Sequence, residues 1–122
     1  MKRALVSVVD DDKSVRESLP DLLQEFGFEA RAFSSAEELL TSDCVDQTAC
    51  LILDIVMPGM TGLDLQKELQ LRGQNIPVIF ITAQTDKAVR MKAFEQGAAG
   101  LLLKPFTDTA LLAAVEAALR AI

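Results

Sequence analysis

The chain has 122 residues, half of them hydrophobic, with 12 basic against 18 acidic side chains and a formal net charge of −6. That length suits one domain able to bury roughly two-thirds of its unfolded surface. The negative balance disfavours nucleic-acid binding by this segment itself, because phosphate contacts need a basic face. No apolar run approaches the roughly 18 residues that span a bilayer. The opening "MKRALVSVVDDD" holds too short an apolar stretch for a secretory signal, so a cytoplasmic protein is expected. Cys44 and Cys50 have no metal-type spacing and read as free thiols of a reducing compartment. With no Trp or Tyr and only six scattered Phe, there is no aromatic stacking platform. Repeats, low-complexity tracts and linkers are absent, so residues 1–122 are read as one domain.

The first strand candidate is Ala4–Val9, ending in Asp10, Asp11 and Asp12. A helix follows, with Ser14 and Glu17 at capping-box spacing. Val15, Leu19, Leu22, Leu23 and Phe26 fall on one of its faces, and Gly27 ends it. Pro20 lies inside that helix and should kink it or shift its start. The second strand, Phe28–Ala32, alternates apolar and charged residues and reads as an edge strand. Ser35 with Glu38 starts the second helix. The third strand, Leu51–Leu53 with its flanks, ends in Asp54, and Thr61 caps the third helix, which stops at Gly73. Val78–Ile81 leads to Thr82, with Asp86 as the cap of a fourth helix that ends at Gly97. Leu101–Leu103 leads to Lys104 and Pro105. Thr107 caps a last helix whose apolar face is Leu111, Leu112, Val115, Leu119 and Ile122.

All these strands but the second are nearly continuous apolar runs, as expected of parallel strands covered on both faces. Five strand–helix alternations predict an α/β fold, a doubly wound (βα)5 sandwich whose ligands bind at the carboxyl ends of the strands. Those ends carry Asp10 to Asp12, Asp54, Thr82 and Lys104. Singly, each has an ordinary explanation: acids at a helix N-terminus, a strand hydroxyl, a solvated lysine. Together they do not, because independent decoration would not gather the polar groups at one sheet edge.

In the strand order 2-1-3-4-5, Asp10 and Asp11 face Asp54 across adjacent strands. Three carboxylates raise one another's pKa unless a cation sits among them. Oxygen ligands without His or Cys suit Mg²⁺, with Mn²⁺ as the alternative. Thr82 and Lys104 approach Asp54 from the other side. A hydroxyl, an ammonium and a divalent cation around one carboxylate describe a site for a phosphoryl group, with Asp54 as nucleophile.

The motifs "VVDDD", "LILDIVMPGMTG", "VIFITA" and "LLLKPF", in that order and spacing, resemble the receiver domains of bacterial two-component response regulators over essentially the whole chain. "VVDDDKSVRESL" with "PGMTGLDLQ" looks most like the FixJ-type subgroup. The resemblance implies the CheY- or flavodoxin-like order 2-1-3-4-5 and a sensor histidine kinase as phosphoryl donor to Asp54. It implies Mg²⁺ held by Asp11 directly, by Asp10 mainly through water, by Asp54 and by the backbone carbonyl of Val56. Thr82 would donate to the phosphoryl oxygens, Lys104 would pair with them, and the Lys104–Pro105 peptide would be cis. Asp12 receives no metal role.

An aspartyl phosphate adds charge and three acceptor oxygens. Drawing Thr82 and Lys104 towards them would alter the surface of the fourth helix, fifth strand and fifth helix. Similar proteins dimerise through that surface, where Lys87, Arg90 and Lys92 lie beside Asp108 and Glu116. The expected output is transcription, through a downstream DNA-binding domain. One departure from the family is Leu101, where many receivers place a switching aromatic. Val56 and Gln84 occupy positions that tune dephosphorylation in similar domains, and an apolar Val56 cannot orient water. Three other classes fit less well. An Asp-nucleophile phosphohydrolase needs a second Asp where Val56 stands. A flavin site needs a phosphate-cradling loop where "DDDKS" stands. A phosphorylation-independent scaffold has no need of the full polar set. The domain is therefore read as a phosphoacceptor rather than a turnover enzyme.

Overall fold

A computed structural model describes residues 3–83 and 87–120. Five strands, β1 (Leu5–Val9), β2 (Glu29–Phe33), β3 (Thr48–Asp54), β4 (Val78–Thr82) and β5 (Gly100–Leu103), form one sheet. All pairs are parallel and the order is β2-β1-β3-β4-β5. The helices are α1 (Lys13–Glu25), α2 (Ala36–Leu40), α3 (Gly62–Leu71), α4 (Lys87–Glu95) and α5 (Asp108–Arg120). This is the predicted doubly wound sandwich.

The central strands are nearly continuously apolar because each of their faces has its own core. Val6, Val8, Cys50, Ile52, Ile79 and Ile81 pack with α1 and α5. Val9, Leu51, Leu53, Val78 and Phe80 pack with α2, α3 and α4. Each fully buried Val, Leu or Ile contributes about 1.5–3 kcal/mol. The edges differ. On β2, Glu29 and Arg31 are exposed, as its alternation predicts. β5 also lies at an edge, and it is wetter than its Gly-Leu-Leu-Leu sequence suggests, with Leu103 40 % exposed.

The helix starts need corrections. The N-cap of α1 is Asp12, whose carboxylate accepts from the Ser14 N–H and hydroxyl (2.9 and 2.8 Å), and Ser14 already lies inside the helix. At α2 half of the capping box forms: Ser35 Oγ accepts from the Glu38 N–H, while the Glu38 carboxylate takes the Ser34 hydroxyl instead. Thr61 makes a complete reciprocal box with Asp64. Thr107 Oγ1 accepts from the Ala110 N–H. The helix runs through Pro20 without a displaced start. Phe26 is not part of the buried face of α1, since it sits at the C-cap and is 56 % exposed. Gly27, Gly73 and Gly97 follow α1, α3 and α4 with φ of 92°, 76° and 93°, the left-handed turn that stops a helix. The positions of Gln84, Asp86 and Ile122 lie outside the described residues.

Candidate functional site

Register brings the polar residues together. Val9 pairs with Leu53, so Asp10 leaves β1 beside Asp54 at the end of β3. Asp54 pairs with Ile81, and Thr82 with Leu103, which sets Thr82 and Lys104 on the other flank. Ligand oxygens of Asp10, Asp11 and Asp54 come within 4.8 Å of one another, a span that fits the oxygen sphere of one hard divalent cation. Asp10 is fully buried and Asp54 nearly so, whereas Asp11 is exposed.

Lys104 bridges the two buried carboxylates, its Nζ donating to Asp10 Oδ2 at 2.9 Å and to Asp54 Oδ2 at 3.3 Å. The other Asp10 oxygen accepts from the Asp12 N–H at 2.9 Å, and Asp54 Oδ1 accepts from the Val56 N–H at 3.3 Å. Burial, and after it the negative charge of Asp10, raises the Asp54 pKa to about 6 against the pull of Lys104. Burial lowers the Lys104 pKa, but its bond to Asp10 and the charges of Asp54 and Asp10 outweigh that and leave it above the ordinary lysine value. Thr82 is fully buried, and its carbonyl accepts from the Lys104 N–H at 2.8 Å. The Lys104–Pro105 peptide is cis.

Above Asp54 opens a recess of about 370 Å³ lined by Asp54, Val56, Thr82, Ala83 and Lys104. Val56 is 58 % exposed at its rim. Leu101 is not in this lining; it is half-buried against the α2–α4 core, one position before the pair formed by Leu102 and Ile81. Asp12 is spent on capping α1, and its bonds to Ser14 hold its pKa below the usual carboxylate value.

Three supporting residues escape sequence reasoning. Arg16 donates from its guanidinium to the Asp10 carbonyl at 3.0 Å, tying α1 to the acidic strand end. Gly62 opens α3 so close to β3 that a methyl group there would overlap the Asp54 carbonyl oxygen, and its N–H bonds Ile55 O at 2.9 Å. Glu37 reaches from α2 to the Met60 N–H at 3.4 Å, over Gly59, whose φ is 75°. For Gly62 the signal is the tight "PGMTG" run, where one glycine serves the turn and the other serves the close approach. Arg16 and Glu37 carry no such signal, because exposed charges on helices usually face water.

Comparison with known proteins agrees with this fold. The family described as response regulator receiver domain matches residues 6–116. Nodulation protein W of Bradyrhizobium diazoefficiens is 47 % identical over 116 residues, covering 95 % of this chain and 51 % of that protein. Transcriptional regulatory protein FixJ of Azorhizobium caulinodans is 42 % identical over 114 residues, covering 93 % and 54 %. The crystal structure of FixJ-N superposes with a TM-score of 0.88 at 34 % identity, covering 100 % of this chain and 98 % of that one. The chain belongs to the response regulator receiver domain family, and it spans about half the length of the curated relatives it matches.

Proposed function

We propose that the chain is a single phosphoacceptor domain in which Asp54 takes a phosphoryl group from a sensor histidine kinase. The Asp54 carboxylate attacks phosphorus, the phosphorus–nitrogen bond of the donor breaks, and an acyl phosphate remains. Asp10, Asp11, Asp54 and the Val56 carbonyl are the residues that would hold Mg²⁺ or Mn²⁺, which neutralises charge in the acidic pocket when bound. Thr82 and Lys104 bind the phosphoryl oxygens. The observation that carries this reading is the buried Asp54 carboxylate at an open recess, gathered with the Asp10 and Asp11 carboxylates and reached by the Lys104 ammonium.

Phosphorylation gives Lys104 a stronger partner than Asp54 Oδ2 and so alters the face of α4, β5 and α5. Met91, Phe94 and Leu103 expose apolar surface there, which supports homodimerisation of the phosphorylated form. Leu101, behind this face, takes the place of an aromatic switch with a smaller rotamer change. The output is transcription, with DNA bound by a further domain of the full protein, as the name of the FixJ relative supports. The domain is cytoplasmic and is not a turnover enzyme, since Val56 offers no acid or base beside the acyl phosphate. In support of that compartment, Cys44 and Cys50 are free thiols. No helix among the described residues is long and apolar enough to cross a membrane.

Intact-mass spectrometry after incubation with acetyl phosphate tests the assignment. One phosphate adduct is expected, dependent on Mg²⁺ and lost in Asp54→Asn. An adduct that persists in the Asn variant would identify a different nucleophile.

A further inference from the structure

Three buried side-chain polar atoms among the described residues have no hydrogen-bond partner: Gln66 Oε1, Arg90 Nε and Gln96 Nε2. All three lie in α4 or in the seam where it meets α3. Gln70 Nε2 ties that seam by donating to the Gln96 carbonyl at 2.7 Å. Gln66 lies one turn N-terminal to Gln70 on the same face of α3 and is only 3 % exposed. Both helices return from strands of one parallel sheet, so they run in the same direction. Gln96 follows the last residue of α4, and its carbonyl at the Gln70 amide sets it about one helical turn along α3 from Gln66. An acceptor lacking a donor and a donor lacking an acceptor therefore occupy one seam.

The rest of α4 is lightly anchored. Ala93 is its one fully buried residue, Val89 packs part-buried on the core, and Met91 and Phe94 are 52 % and 54 % exposed. Buried groups without partners penalise this position of the helix, and little apolar burial opposes a shift. A small displacement along α3 is therefore inexpensive and has a bond to gain.

We propose that α4 has a second seat on α3 in which Gln66 Oε1 accepts from Gln96 Nε2, and that this glutamine pair sets the bias between the two seats. This rests on the reading of the α4 face as the one that responds to phosphorylation. The pair is open in the resting protein and closed in the phosphorylated one, so α3 takes part in the switch without touching the phosphoryl group.

A double-mutant cycle tests it, using Gln66→Leu, Gln96→Leu and the double variant, with Gln66→Met as a second replacement should leucine perturb folding. Binding of beryllofluoride with Mg²⁺ and exchange of α4 amides with deuterium are measured on each. In EDTA, replacing Gln66 removes the unpaired acceptor and slows α4 exchange about tenfold, with α5 unchanged. Beryllofluoride affinity falls in each single variant, and the double variant is non-additive by about threefold or more. Additive affinities, or α4 exchange in EDTA equal to that of the parent, overturn the proposal. Failure of the parent itself to bind beryllofluoride overturns the Asp54 reading instead, and the exchange rates in EDTA still judge the seam.

Discussion

At Asp54 the fold holds a charge it does not favour. Burial and Asp10 raise its pKa from 3.8 to about 6, so the folded protein binds a proton more tightly than the unfolded chain does. The stability this gives is complete below about pH 4 and is lost as pH rises through about 6. Denaturant titrations in EDTA should show unfolding free energy falling across that interval. Asp54→Asn should flatten the slope and, at pH 7.5, stabilise the metal-free protein by about 1–3 kcal/mol. Lys104 keeps Asp10 as its partner in that variant. The same substitution removes the proposed nucleophile, so a gain in stability with loss of phosphorylation is the signature of a residue placed for chemistry rather than for folding.

Among the elements, helix starts were harder to read than strands. The apolar runs declare β1, β3 and β4 because strands covered on both faces tolerate little else. By contrast, α1 offers two spacings. Ser14 with Glu17 looks like a capping box, yet Asp12 carries out the capping, since the chain leaving β1 is still extended at Asp12. Asp12→Ala should lower the melting temperature by roughly 4 °C, while Ser14→Ala should cost less; calorimetry of both in EDTA separates them. The wetness of β5 follows from the strand order, which puts it at an edge, and not from the strand's own apolar residues. In the site, Asp10, Asp54, Thr82 and Lys104 were legible as strand-end polar residues. Arg16, Gly62 and Glu37 were not, because what they contact lies across the fold rather than along it.

For the molecule as a whole, one end of the sheet carries the cluster of Asp10, Asp11, Asp54 and Lys104, and the α4 side carries exposed apolar surface. Met91 and Phe94 on α4 and Leu103 on β5 are exposed, and on the reading above this face is covered when Asp54 is modified. Phe94→Ser with Met91→Ser should leave acetyl phosphate labelling of Asp54 intact. It should also keep the beryllofluoride form monomeric in sedimentation velocity at concentrations where the parent dimerises. A parent that stays monomeric throughout would assign the patch to another partner.

The salt bridge that closes the pocket joins residues 94 positions apart in the chain. At roughly 5–20 residues per second of synthesis, Lys104 reaches the growing end about 5–20 s after Asp10. Until then Asp54 stands at the end of an incomplete sheet, without its cationic neighbour. The pocket is thus completed only after β5 has been made, with α5 still to follow. A chain cut short before Lys104 would hold the buried carboxylates without the ammonium that bridges them.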